Sequence, residues 1–96
     1  MDTTFYILVN IRTRDHLEPF GRFFVGNDRL AARELFQELK GYSKVTDKDV
    51  LCIELMERVD GLPVNINLKS CSLAQLSENV RLITKHVFRQ QVHKGP

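Results

Sequence analysis

The dipeptide Asp60-Gly61 predicts a β-hairpin in the middle of the chain, because both residues accept the positive φ angles of a tight two-residue turn. The extended segments on either side of this turn are residues 50–58 and 62–70. The register that follows pairs Val59 with Leu62, Glu57 with Val64, Leu55 with Ile66 and Ile53 with Leu68. It places most apolar side chains of the hairpin on one face, and a shift of one residue would reverse that assignment.

Two further segments of the chain have the pattern of β-strands. Residues 5–12 alternate with a period of two and predict strand 1. Residues 19–25 are rich in aromatic side chains and predict strand 2, where Pro19 is tolerated as the first residue of a strand. Together with the hairpin, these segments give the domain four strands.

Two amphipathic helices complete the predicted elements. Asp28 is the candidate N-cap of helix 1, residues 28–40, and Gly41 is expected to end it in a left-handed C-cap. Ser72 caps helix 2 and forms a capping box with Gln75. The predicted core faces are Ala31, Ala32, Leu35, Phe36 and Leu39 in helix 1, and Leu73, Leu76, Val80, Ile83 and Val87 in helix 2. Residues 92–96 are expected to fray.

The order strand-strand-helix occurs twice and predicts a single α+β domain over residues 1–96. A two-layer sandwich, in which a four-stranded and mainly antiparallel sheet carries both helices on one face, buries every apolar stripe. Strand order 2-1-3-4 keeps all neighbours antiparallel and is favoured, whereas order 1-2-3-4 would need a parallel crossover. A hydrophobic fraction of 43% supplies enough apolar surface for one core.

Composition argues against several classes of protein. The formal net charge of +2 is far from the basic excess of a dedicated nucleic-acid binder, so nucleic acid is not an expected partner. No apolar segment reaches the roughly 18 residues that span a bilayer, and the first residues lack the pattern of a secretory signal. Two cysteines in a domain of this size indicate reduced thiols and a cytoplasmic location.

One face of the predicted sheet has no helix over it. Alternation places there Tyr6, Leu8, Asn10, Arg12, Phe20, Arg22, Phe24, Cys52, Glu54, Met56, Asn65, Asn67 and Lys69. The apolar members, which are Tyr6, Leu8, Phe20, Phe24 and Met56, exceed what a monomer usually exposes and predict an interface, most simply that of a homodimer. Two alternatives are that strand 2 has the opposite parity or a loop covers the face, and that the aromatic side chains stack single-stranded RNA.

The outer surface of helix 2 is the second candidate contact. Arg81, Lys85 and Arg89 form a stripe that is expected to point away from the core, and Leu82 beside it is expected to be exposed as a further interface residue. This stripe is a candidate contact for an anion or an acidic partner, although cations near a helix C-terminus also simply complement the helix dipole. Basic faces on both helices give weak nucleic-acid binding as an alternative function.

Few residues indicate catalysis. Cys71 precedes the cap of helix 2, where a helix N-terminus could lower a thiol pKa, and a small enzyme or ligand site could combine it with Cys52 and Glu54. A half-buried structural cysteine is the more common case and is favoured. No cysteine or histidine spacing fits zinc, and no glycine motif fits a phosphate loop, so no metal or cofactor is expected.

Two segments resemble short uncharacterised bacterial proteins. They read FFVGNDRLAARELFQELKG and GLPVNINLKSCSLAQLSENVRLITK and cover under half of the chain. The resemblance implies a small bacterial cytoplasmic protein and attaches no activity to it. We therefore predict a protein-interaction or self-associating module rather than an enzyme.

Overall fold

The structure, a computed structural model that describes residues 2–93, contains the six predicted elements in the predicted order. They are β1 (Thr3–Arg12), β2 (Leu17–Gly26), α1 (Arg29–Glu38), β3 (Leu51–Val59), β4 (Leu62–Cys71) and α2 (Leu73–His93). The strands form one antiparallel sheet in the order β2-β1-β3-β4, which confirms the favoured topology. The fold is the predicted α+β sandwich. Helix α2 continues to His93, past the predicted start of fraying, and residues 94–96 lie outside the described residues.

The core lies between the sheet and the two helices. Alternate residues of β1, which are Phe5, Ile7 and Val9, are at most 1% exposed because a strand directs every second side chain to the same face. The other strands, the helices and the residue after α1 contribute the rest of the cluster, which is Val25, Ala32, Leu35, Phe36, Leu39, Ile53, Leu55, Leu76 and Ile83. Each large side chain buried in this way contributes about 1.5–3 kcal/mol relative to its exposed state.

The turn of the hairpin has the predicted conformation. Asp60 has a φ of 50° and Gly61 a φ of 86°, so both residues lie in the region that a tight two-residue turn requires. Val59 is opposite Leu62, as the predicted register requires. The register next to the turn is therefore confirmed.

Further from the turn, the predicted register is wrong by one residue. Met56 is opposite Asn65 but Leu55 is opposite Asn67, so Ile66 is the extra residue of a β-bulge in β4. The predicted pairs of Leu55 with Ile66 and of Ile53 with Leu68 do not form. Beyond the bulge each side chain of β4 changes face. Lys69 therefore turns toward the helices, opposite Ile53, and Leu68 takes a place on the open face, opposite Glu54.

The C-terminal end of α1 also differs from the prediction. The helix ends at Glu38, and Leu39 already has extended backbone angles, with φ −70° and ψ 145°. The Lys69 ammonium donates hydrogen bonds to the carbonyl oxygens of Phe36, at 2.7 Å, and Leu39, at 2.9 Å. A lysine from the sheet thus occupies the end of the helix and replaces the predicted glycine cap.

Gly41 has a different role from the predicted one. Its φ is 149°, and a Cβ atom at this position would lie 2.4 Å from the carbonyl oxygen of Ser70. The chain needs this close approach because Tyr42 then pairs with Ser70 through two backbone hydrogen bonds of 2.8 and 2.9 Å. Gly41 therefore allows the segment after α1 to run along β4.

The N-terminal caps of both helices are confirmed. The Asp28 carboxylate accepts hydrogen bonds from the backbone N–H groups of Leu30 and Ala31 at the start of α1. Ser72 and Gln75 form the reciprocal capping box, because each side chain accepts a hydrogen bond from the other residue's backbone N–H. These caps satisfy donors that a helix start otherwise leaves without partners.

The core face of α2 is shifted from the predicted one. Leu76 and Ile83 are buried as predicted, but Leu73 is 73% exposed because the first residue of the helix lies beyond the edge of the core. Leu82, predicted to be exposed, is half-buried and packs against the core cluster, because it faces the groove between the two helices. Leu82 is therefore not an exposed interface residue.

Replacing Gly61 with Val should lower the free energy of unfolding by more than about 1 kcal/mol, because a β-branched residue resists a positive φ. No atom lies within 4 Å of a Cβ built at Gly61, so the cost would come from the backbone alone. Gly61→Asn is the matched control, since Asn tolerates this region. Urea denaturation measures both variants, and an unchanged Gly61→Val protein would contradict the turn.

Replacing Asn79 with Ala should lower the free energy of unfolding by about 2 kcal/mol, because the change removes two hydrogen bonds that a buried side chain makes to the backbone of Lys40. The Asn79 side chain is fully buried, accepts from the N–H of Lys40 at 2.6 Å and donates to its carbonyl oxygen at 2.8 Å. The exposed Asn27, changed to Ala, is the control. Equal unfolding free energies for the two variants would show that this contact between α2 and the end of α1 contributes little.

Candidate functional site

The open face of the sheet is covered at one end by the chain itself. Arg12 donates hydrogen bonds from Nε to the carbonyl oxygen of Asp49, at 2.8 Å, and from its terminal nitrogen to that of Thr46, at 3.1 Å. Asn10 and Cys52, which stand beside Arg12 on this face, are 3% and 0% exposed. The alternative in which a loop covers the face is therefore correct for this end of the sheet.

The other end of the open face forms a groove of about 410 Å³. It is lined by Tyr6, Leu8, Pro19, Phe20, Gly21, Arg22, Met56, Arg58 and Pro63. Four of the predicted interface residues belong to this lining, and the fifth, Phe24, adjoins it because its ring centre lies 5.6 Å from that of Tyr6. The structure thus brings the predicted apolar cluster together, and Leu82 lies apart from it, between the helices.

The position of Phe20 depends on a bulge in β2. Phe24 is opposite Tyr6 and Arg22 is opposite Leu8, so strand 2 has the parity that places these side chains on the open face. Gly21 pairs with Val9 but Pro19 pairs with Asn10, which leaves Phe20 as the extra residue. The bulge turns Phe20 outward at the rim of the groove, where it is 58% exposed.

The groove is cationic as well as aromatic. The guanidinium carbons of Arg22 and Arg58 lie 4.9 and 5.5 Å from the centre of the Tyr6 ring, within the range of cation–π contacts. Glu54, the nearest acidic residue of this face along the strands, accepts hydrogen bonds from the side-chain amides of Asn10 and Asn65. Sequence reasoning missed Arg58, although its even position in β3 gives it the same parity as Met56.

The two cysteines do not share a site. Cys52 is opposite Ser70 on the open face, whereas Cys71 is opposite Leu51 and packs against the core on the helix side. Burial raises the pKa of the Cys52 thiol, and burial likewise raises the pKa of the Cys71 thiol. The pKa of Cys71 is thus raised rather than lowered at the start of α2, and this side chain lies on the opposite face of the sheet from Cys52 and Glu54.

Acidic side chains partly neutralise the positive charge of the basic stripe on α2. Arg81 forms an ion pair with Glu78 at 2.7 Å, and the hydrogen bond from Arg81 lowers the pKa of the Glu78 carboxyl group. Lys85 and Arg89 line a groove of about 260 Å³ between the helices. Glu34 and Glu38 of α1 line the same groove. The candidate anion contact on α2 therefore lies beside acidic groups, unlike the groove on the sheet.

Other candidate chemistry is limited in the described part of the chain. His16 lies in the β1–β2 turn, where its ring contacts the Glu18 carboxylate at 2.6 Å. Among residues 2–93, no three His, Cys, Asp or Glu side chains come together in a way that could hold a metal ion. The helices in this range are also too short or too polar to cross a membrane.

Comparisons of the chain with protein family models, with curated proteins and with solved structures found no match. The resemblance to short bacterial proteins therefore stays a prediction.

Cys52 should react with a thiol reagent such as DTNB at least about tenfold more slowly than Cys71, because access to a fully buried thiol requires local unfolding. The single variants Cys52→Ala and Cys71→Ala assign each rate at pH 8. In mild urea the difference between the two reaction rates should decrease, because local unfolding exposes Cys52. Rapid labelling of Cys52 in the native Cys71→Ala protein would contradict the burial of this end of the face.

Proposed function

We propose that the protein is a self-associating interaction module that forms a homodimer through the open part of its sheet. One observation supports this most directly: Tyr6, Leu8, Phe20, Phe24 and Met56 are contiguous on the one sheet face that carries no helix. Phe20 is 58% and Phe24 44% exposed. An apolar patch of this kind usually marks a contact surface.

The edge strands of the sheet are poorly suited to pair with another chain, which favours association through the open face instead. Pro19 in β2 and Pro63 in β4 each remove a backbone donor from an edge strand, and each of these strands also contains a bulge. Proline and bulges are the usual means by which edge strands avoid pairing with another chain. Addition of a strand to either edge is therefore disfavoured, and the face is the better candidate.

The size of the molecule is compatible with such a dimer. A standard interface takes about 800 Å² from each partner, which is a modest part of the 6522 Å² surface of one protomer. In a two-fold dimer the same patch meets its own copy. Phe20 protrudes beside a groove, so Phe20 of one protomer is placed to enter the groove of its partner.

An apolar surface continues around the β2 edge and supports the same proposal. Phe23, Phe24, Thr84, Val87 and Phe88 line a second groove of about 450 Å³ between β2 and α2 together with Arg22. Phe88 is 69% exposed there. This surface shares Arg22 and Phe24 with the open face and would extend a contact made by it.

The cytoplasmic location and the bacterial source stay predictions. Cys52 and Cys71 are free thiols on opposite faces of the sheet. A different protein could bind the same exposed side chains that a second copy of this chain would bind. Measurement of the molecular mass in solution separates these two cases.

Leu8→Glu and Met56→Lys, tested separately, should convert the dimer to a monomer, because each introduces a charge at the centre of the apolar patch. Light scattering at tens of micromolar gives the mass of each protein. The control is Leu73→Glu, which adds a charge at a leucine that is 73% exposed on α2. It should leave the dimer intact.

Two outcomes would contradict the proposal in different ways. A wild-type protein that is monomeric at this concentration would exclude the homodimer. A dimer that survives both substitutions would have to use another surface. Phe88→Glu would then test the groove between β2 and α2.

A further inference from the structure

Two arginines on the strands that flank β1 lie against one aromatic ring. Arg22 of β2 is opposite Leu8, and Arg58 of β3 is opposite Thr4, so the two stand two residues to either side of Tyr6 along β1. Their guanidinium carbons lie 4.9 and 5.5 Å from the Tyr6 ring centre. Stacking on a ring uses the face of a guanidinium and leaves the N–H groups on its edge able to bind acceptors.

These guanidinium groups have no acidic partner in the described part of the chain. No Asp or Glu lines the groove, and the Glu54 carboxylate is occupied by Asn10 and Asn65. The Nε atom of Arg58 is buried and has no hydrogen-bond acceptor. A buried donor without an acceptor is uncommon in folded proteins, and the terminal N–H groups of this guanidinium stay available to an acceptor in the groove.

We propose that Arg22 and Arg58 form an oxyanion site in the groove on the open sheet face. The ligand is a carboxylate or phosphate group, because the planar guanidinium presents paired N–H donors that match these oxygens. The apolar floor of Leu8 and Met56 beside the arginines suits a ligand whose anionic group is attached to an apolar body.

Binding of an oxyanion at this site should also favour dimer formation. This second effect rests on the proposed homodimer. A two-fold contact between open faces brings two arginine pairs together without any lining carboxylate, and a bound oxyanion compensates their charge. By linkage, an anion that strengthens the dimer is itself bound more tightly by the dimer.

Two measurements test the site at constant ionic strength, with sodium phosphate or sodium acetate replacing sodium chloride. The first follows the Nε–Hε NMR signals of Arg22 and Arg58 at protein concentrations low enough to favour the monomer. The second measures the dimer dissociation constant by sedimentation equilibrium. Phosphate or acetate should shift both arginine signals saturably, and the preferred ion should strengthen the dimer by about tenfold relative to chloride.

Arg22→Gln and Arg58→Gln should each abolish the saturable binding, while Arg33→Gln, which changes an exposed arginine of α1, should not. Arg22 is exposed, so its variant should fold even if the half-buried Arg58 proves necessary for stability. A larger effect of phosphate than of acetate identifies a phosphate group as the ligand, and the reverse identifies a carboxylate.

The results separate the site from the proposed dimer. Equal responses to all three salts, or binding that persists in both glutamine variants, would overturn the oxyanion site. A protein that stays monomeric while both arginine signals shift saturably would confirm the site and exclude the dimer with its coupling. A dimer whose dissociation constant is the same in all three salts would exclude the coupling alone.

Discussion

The contact between the Lys69 ammonium and the end of α1 is the interaction on which the packing of this helix against the sheet depends. It binds the carbonyl oxygens of Phe36 and Leu39, and it also lies 4.9 Å from the centre of the Phe36 ring. Burial lowers the pKa of this lysine, while the carbonyl groups and the helix dipole favour its charge. Only the bulge at Ile66 lets Lys69 reach this position, because without it the side chain would lie on the open face.

The same bulge shapes the open face. Compared with a strand without the bulge, β4 places Leu68 rather than Lys69 on the open face. Arg12, which shares the face, is held by carbonyl oxygens of the covering loop. The arginines left beside the groove are Arg22 and Arg58. The packing of α1 against the sheet therefore depends on one irregularity in β4.

The sequence predicted the features that depend on neighbouring residues. Alternation identified β1, an aromatic-rich composition identified β2, and Asp60-Gly61 identified the hairpin of β3 and β4. Asp28 and Ser72 identified the helix starts. It could not predict the bulges, because Ile66 and Phe20 become extra residues only when a partner strand is present to define the register. For the site, the apolar cluster follows from parity, whereas the unpaired state of Arg58 depends on three-dimensional contacts.

Intramolecular contacts alone do not account well for the arginine pair. A cation–π contact at a partly exposed site contributes about 0.5–1 kcal/mol. A buried donor without an acceptor costs about 1–3 kcal/mol, and the Nε atom of Arg58 is such a donor. Stacking on Tyr6 therefore does not offset the cost of holding Arg58 in this place. A ligand oxyanion in the groove would instead bind the terminal N–H groups of the guanidinium, and a hydrogen bond to a charged group contributes about 1.5–3 kcal/mol.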